Sequence, residues 1–129
     1  MGLVKSMAKE MMREIGNKSR EFYEFVLPPV DMQLDDDKLK LYIDLPGFNK
    51  KDVKLTLHGN ILSIQACKEN IDKKHDMICN QRPNVIDKKL RLPIKIKEGE
   101  ESVSSAKFSD GVLTVIIPIE KSGKDITIE

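Results

Sequence analysis

The sequence is poor in the residue types on which many enzymes and nucleic-acid-binding proteins depend. Its 129 residues contain no tryptophan, two tyrosines, four phenylalanines and two histidines. Aromatic residues are therefore too scarce for a platform on which single-stranded nucleic acid stacks. The formal net charge of +1 gives no overall field that would attract nucleic acid or anionic lipid. We therefore expect no nucleic-acid partner.

Long apolar runs and a disulfide framework are also absent. No stretch approaches the roughly 20 apolar residues that a membrane-spanning helix needs, so we expect no stable membrane insertion. The two cysteines, Cys67 and Cys79, are too few for a disulfide scaffold. This cysteine content favours a reducing compartment, and we predict a cytoplasmic protein.

Motifs for catalysis and cofactor binding are missing as well. The chain has no Gly-x-Ser-x-Gly elbow, no phosphate-cradling glycine loop and no dinucleotide fingerprint. Cys67, His75 and Cys79 match none of the usual zinc-ligand spacings. The acidic run 35–37 lacks the alternating ligands and the glycine of a calcium loop. We predict a protein that is not an enzyme and that binds no metal or cofactor.

What the sequence does contain is a series of short segments in which apolar and polar residues alternate. Turn residues such as Gly and Pro separate these segments. Regularly spaced short strands of this kind indicate an all-β antiparallel sandwich. The apolar members are Leu39, Leu41 and Ile43, then Val53, Leu55 and Leu57, then Leu62, Ile64 and Ala66, and later Ile86, Leu90 and Leu92.

The most sharply defined stretch is a hairpin within residues 106–118. A strand from Val103 to Phe108 leads to Asp110-Gly111, a pair that readily adopts the positive φ angles of a two-residue turn. The strand after the turn is rich in β-branched residues, which favour the pleated sheet. It stops at Pro118, which has no N–H group for the ladder.

The first 28 residues form an arm of different character. Apolar residues between Leu3 and Ile15 recur at helical spacing, so we predict an amphipathic helix that ends at Gly16-Asn17. A second apolar patch, 22–27, follows it. Either the helix packs on its own domain or on copies of itself, or its flexible methionines form an adaptable surface for unfolded chains. The candidate client-binding residues are Met7, Met11, Met12, Ile15, Phe22 and Phe25.

The long, mostly polar connection 67–85 interrupts the strand rhythm. A compact sandwich rarely has so long a structureless loop. Met77-Ile78 in its middle is a candidate short strand without a mate in its own chain, which suggests an arm that reaches a partner subunit. The alternative is a mobile, solvated loop.

The C-terminal segment carries two isoleucines on one face. Ile126 and Ile128 have the two-residue spacing that places both side chains on the same side of an extended chain. Burying both contributes roughly 3–6 kcal/mol, whereas ordering the backbone costs roughly 1–2 kcal/mol per residue. One contact is then weak, but many in a closed assembly are strong. A short strand that returns to its own domain remains the alternative.

Taken together, these motifs resemble the small heat shock proteins, in particular the archaeal type. The resemblance spans roughly residues 28–129, and the ordered combination of motifs is highly specific. The residues that carry it are the segments 28–32 (Pro-Pro-Val-Asp-Met), 45–48 (Leu-Pro-Gly-Phe), 90–93 (Leu-Arg-Leu-Pro) and 106–113, together with Ile126-x-Ile128.

The resemblance implies an α-crystallin domain, an immunoglobulin-like sandwich, at residues 29–119. The arm 1–28 would precede it and a tail, 120–129, would follow. The family pattern implies a dimer formed when loop 67–85 swaps onto the partner's strand at 30–34. Many relatives have an arginine where this chain has Lys88, which cannot make a bidentate contact. The implied dimer-interface residues are Met77, Ile78, Val30, Met32 and Lys88.

The resemblance also implies that the tail isoleucines dock on a neighbouring dimer. The expected groove residues are Val53, Leu55, Val103 and Ser105. The implied function is ATP-independent holding of unfolding proteins during heat stress by a dimer-based homo-oligomer. The alternative is a non-catalytic β-sandwich co-chaperone of an ATP-driven chaperone, although those proteins usually end in acidic tails.

Overall fold

The structure is a computed structural model that describes residues 2–68, 76–96, 99, 101, 104–119 and 126–129. His75 and Val103 lie outside this part of the chain. The described residues form one α-helix, seven β-strands and a 3-10 turn at Lys50–Asp52. The elements are α1 (Gly2–Val26), β1 (Val30–Leu34), β2 (Lys38–Asp44), β3 (Val53–His58), β4 (Ile61–Cys67), β5 (Val85–Arg91), β6 (Ser105–Ser109) and β7 (Val112–Pro118).

The strands form two antiparallel sheets. The larger sheet has the order β1-β2-β7-β6, and the smaller has the order β3-β4-β5. Strands β2 and β7 pair along their full length, from Lys38 opposite Pro118 to Asp44 opposite Val112. The predicted all-β sandwich is thereby confirmed.

A single apolar core lies between the two sheets. Alternate residues of β2, β4 and β7 point into it, which is the two-residue period of a strand with one buried face. Among the described residues, no polar or charged side chain is buried. The core consists of Leu39, Leu41, Ile43, Leu45, Phe48, Leu62, Ile64, Ala66, Ile86, Leu92, Leu113, Val115 and Ile117.

The predicted turn at Asp110-Gly111 is confirmed by its backbone angles. Asp110 and Gly111 have φ angles of 54° and 78°, the positive pair of a two-residue hairpin turn. The Leu45 N–H donates to the Gly111 carbonyl oxygen at 2.7 Å, which ties this turn to the end of β2. Gly47 has a φ of 84° in the turn after β2.

The prediction that the first helix ends at Gly16-Asn17 is wrong. Helix α1 continues without interruption to Val26, and Gly16 is its one buried residue. A Cβ on Gly16 would lie 2.8 Å from the Asn80 backbone nitrogen. The missing side chain therefore permits close packing in the middle of the helix. In sequence, a glycine with this role looks the same as a glycine that caps the C-terminus of a helix.

Met77-Ile78, the candidate strand expected to pair with a partner subunit, has no strand structure within its own chain. Residues 76–84 have no regular structure and lie against α1 before β5 begins at Val85. Strand β6 begins at Ser105, within the predicted strand from Val103 to Phe108.

Candidate functional site

An apolar groove opens between β3 and β6, which lie at the edges of opposite sheets. Its volume is about 300 Å³, enough for more than one aliphatic side chain. Leu55 and Leu57 of β3 form one wall. The segment from Ser104 to Ala106 forms the other wall.

The floor of this groove is the core itself. Leu62, Val115 and Ile117 line it, and each is at most 2% exposed. The floor is therefore held rigidly by both sheets, while the walls belong to the edge strands β3 and β6 and to the residue before β6. Such an edge can accept an extended segment whose alternate side chains fill the groove.

Two of the four residues expected in the groove line its cavity. Leu55 and Ser105 line the cavity, whereas Val53 packs against the core beside it, and Val103 is not among the described residues. Leu57 and Ala106 were missed. Leu57 was predictable because it is two residues after Leu55 on the same strand face. The floor residues were not, because they come from other strands.

Glu101 is the charged residue in the lining of the groove. Its carboxylate accepts a hydrogen bond from the Gly59 backbone N–H at 2.8 Å, which links the segment before β6 to the turn between β3 and β4. This hydrogen bond lowers the pKa of Glu101 below its usual value, because it stabilises the charged form.

The tail isoleucines are not docked in this groove. Ile126 and Ile128 are 88% and 94% exposed. Two aliphatic side chains that are almost entirely in water each retain most of the free energy available from burial. Groove and tail are thus both free for contacts with another chain.

The residues expected at the dimer interface lie on an edge strand and beside it. Strand β1, which contains Val30 and Met32, is the outer strand of its sheet, and among the described strands it pairs with β2 alone. Met32 is 39% exposed, Met77 is 45% exposed and Ile78 is 42% exposed. The open edge of β1 can accept another strand.

Helix α1 turns its apolar face to solvent. All the candidate client-binding residues on it are at least half exposed, from Met12 at 50% to Phe25 at 76%. Leu3 and Val4 add to the same surface at 76% and 72%. An unpartnered apolar helix face of this length is typical of an interaction surface.

The opposite, charged face of α1 contacts the chain itself. Lys9 and Arg13 form ion pairs with Asp76, and the Arg20 side chain donates to the Asn80 carbonyl oxygen at 3.3 Å. The hydrogen bonds from Lys9 and Arg13 lower the pKa of Asp76 below its usual value. The helix is therefore held against segment 76–80 by charge rather than by apolar burial.

The end of α1 is held at β5. The Glu24 carboxylate accepts hydrogen bonds from the Asn84 and Val85 backbone N–H groups at 2.9 Å and 2.7 Å. The Lys88 ammonium donates to the Phe25 carbonyl oxygen and lies 5.2 Å from the centre of the Phe25 ring. Lys88, expected to pair across a dimer, thus has a partner within its own chain.

Helix α1 does not provide a membrane span: among the described residues, no helix combines the necessary length and apolarity. The same residues contain no group of three or more histidines, cysteines, aspartates or glutamates placed to hold a metal ion. Cys67 and Cys79 are free thiols.

Two antiparallel sheets over one core, with an apolar groove at their edge, define an α-crystallin-type β-sandwich. The Hsp20/alpha crystallin family model matches residues 31–129. The chain belongs to this family, the small heat shock proteins, and its membership supports a chaperone role.

Individual relatives agree with this assignment. The Del-C4 mutant of hsp14.1 from Sulfolobus solfataricus P2 is 42% identical, with a TM-score of 0.70 over 81% of this chain and 85% of that chain. The 18 kDa heat shock protein of Clostridium acetobutylicum is 32% identical over 74% of this chain and 64% of its own length. Small heat shock protein C2 of Rickettsia felis is 27% identical over 84% of this chain and 77% of its own.

Proposed function

We propose that this protein is an ATP-independent holdase that binds unfolding proteins under heat stress and works as a dimer-based homo-oligomer in the cytoplasm. In this proposal residues 1–28 are a client-binding arm, 29–119 the α-crystallin domain and 120–129 an anchoring tail. One observation supports the proposed assembly: the same chain has an apolar edge groove and a pair of isoleucines that are almost fully exposed.

The assembly has two kinds of contact. Ile126 and Ile128 dock in the groove of a neighbouring dimer, and segment 76–78 of one chain adds to the open edge of β1 in its partner. Each tail contact is weak by itself, but repetition in a closed assembly raises the effective concentration of the tails. Heating loosens these marginal contacts first and releases smaller species with free grooves.

Client binding uses the apolar face of α1. Unfolding proteins expose apolar surface, and the methionine side chains between Met7 and Met12 adapt to irregular partners because they are unbranched and flexible. No nucleotide-driven step is involved, since holding requires only that the apolar surface of the client be covered.

The tail contact is tested by the double substitution Ile126→Ser and Ile128→Ser. We expect size-exclusion chromatography with light scattering to show dissociation into dimers. Thr127→Ser is the matched control, because Thr127 faces the opposite side of an extended tail. If the doubly substituted protein keeps the size of the wild type, the tail does not hold the assembly together.

The client surface is tested by replacing Met7, Met11, Met12 and Ile15 together with serine. We expect this variant to lose most of its ability to keep a heated client protein in solution, as measured by turbidity. The control replaces Lys5, Glu10, Glu14 and Lys18 with serine, which leaves the net charge unchanged. Equal protection by both variants would contradict the assignment.

A further inference from the structure

Two cations converge at the turn that follows β2, away from the groove. The position that a Cβ would occupy on Gly47 is 2.5 Å from the Arg82 Nη2 atom and 3.2 Å from the Lys68 Nζ atom. Because both distances start at one point, the two charged groups are close neighbours. Gly47 itself leaves the space in front of them open.

These cations line a separate cavity. It has a volume of about 380 Å³ and is bordered by Gly47, Lys68 and Arg82 and by the amide residues Asn80, Gln81 and Asn84. Guanidinium, ammonium and amide groups all supply N–H donors. The lining is thus rich in donors and positive charge.

The positive charge of this cavity has no counter-charge among the residues that the structure describes. No ion pair involves Lys68 or Arg82 in this part of the chain. Burial and the nearby Arg82 guanidinium lower the pKa of the Lys68 ammonium below its usual value. An anion between the two groups would relieve both the repulsion and the loss of hydration.

The cavity is attached to the sandwich on its Lys68 side. The Lys68 backbone N–H donates to the Asn84 carbonyl oxygen at 2.9 Å, which joins the end of β4 to the start of β5. The Lys68 ammonium also lies 5.0 Å from the centre of the Phe48 ring. The ammonium is therefore held in place before any ligand arrives.

We propose that Lys68, Arg82 and the surrounding amides form a binding site for a phosphate-class oxyanion. Arginine presents a planar fork that matches two phosphate oxygens, and lysine supplies a compact positive charge. The bound anion would bridge segment 76–84 to the end of β4 and the turn after β2. The site involves neither the groove nor the apolar face of α1, so a failure of tail docking or client binding would not affect it. It does share Met77 with segment 76–78, which the proposed function places at the partner's β1 edge.

The test is a calorimetric titration of the full chain with inorganic phosphate at constant ionic strength. We expect the double substitution Lys68→Gln and Arg82→Gln to weaken binding about tenfold or more, as the loss of charge-assisted hydrogen bonds implies. Lys50→Gln with Lys51→Gln is the matched control: it removes the same charge from the exposed 3-10 turn nearby and should leave the affinity unchanged.

Arg82→Lys keeps the positive charge but removes the planar guanidinium group, and we expect this variant to bind phosphate more weakly than the wild type. Three results would overturn the proposal. They are a wild-type chain that binds no phosphate, an equal loss of affinity in both double variants, and full affinity in the Arg82→Lys variant.

Discussion

Leu41 in β2 and Met11 in α1 both belong to regular apolar patterns, yet Leu41 is fully buried and Met11 is 62% exposed. The sandwich uses its apolar residues to hold itself together. Helix α1 instead attaches by its charged face and leaves its apolar face in water. The comparison teaches that an apolar pattern identifies a surface that needs a partner, but does not say whether that partner is in the same chain.

The largest expected contrast is in stability. Leu41→Ala should lower the free energy of unfolding of the sandwich by about 2–5 kcal/mol, because it removes buried contacts and leaves a cavity. Met11→Ala should change it by less than about 0.5 kcal/mol. Urea denaturation followed by circular dichroism measures both. A comparable loss in the two variants would mean that the apolar face of α1 is buried in solution.

A second substitution tests the close approach of α1 to segment 76–80. Gly16→Ala in an isolated helix would stabilise it by about 0.5–1 kcal/mol, but overpacking here should cost about 1–3 kcal/mol. The helix should then detach. Cys79, whose Sγ lies 3.2 Å from the new Cβ position, should react with a thiol reagent at least about fivefold faster, the factor for 1 kcal/mol.

Cys67 provides an internal reference for this measurement, because it is already exposed. Ser6→Ala is the matched control at an exposed position near the start of the helix. An unchanged Cys79 rate in the Gly16→Ala variant would show that the helix does not pack closely at this point.

A third prediction concerns the end of the helix at β5. Glu24→Gln keeps the shape of the side chain but removes the negative charge that accepts two backbone N–H groups. We expect a loss of about 1 kcal/mol, seen as faster hydrogen exchange of the Asn84 and Val85 amides. Glu21→Gln, on the exposed side, should leave these rates unchanged.

The smallest effect should be the pH dependence at Asp76. Its pKa is lowered in the folded chain by hydrogen bonds from Lys9 and Arg13. The contribution of this contact is therefore present at neutral pH and is lost as the pH falls through the lowered pKa. We expect the Met77 amide resonance to shift on acidification, and Asp76→Asn to abolish that shift. A similar titration in the variant would assign it to another group.

Much of the sandwich could be predicted because its strands have one buried face. Leu39, Leu41 and Ile43 alternate with polar residues, so both the strand and its orientation follow from the two-residue period. Asp110-Gly111 identified its turn because few residue pairs adopt two positive φ angles. The place of Leu55 in the groove was expected from the family resemblance, whereas alternation predicted only that Leu55 lies on the apolar face of its strand.

Helix α1 shows the limit of such prediction. A glycine such as Gly16 looks the same in the sequence whether it caps a helix or permits close contact between two elements. The contact with Asn80, which is distant in sequence, is what identifies the second role. In sequence, the charged face of α1 that contacts the rest of the chain also looks like an ordinary solvated helix face. It contains Lys9, Arg13, Gly16, Arg20 and Glu24. Its partners are backbone groups and Asp76, which leave no apolar pattern in the sequence.

The sequence by itself determined the all-β class, the family and the amphipathic character of the first arm, because alternation, helical spacing, turn chemistry and ordered motifs are local properties of the chain. The tertiary structure decided which edges meet to form the groove and which face of α1 contacts the sandwich. Both depend on contacts between residues far apart in sequence, where steric fit and charge pairing override local propensity.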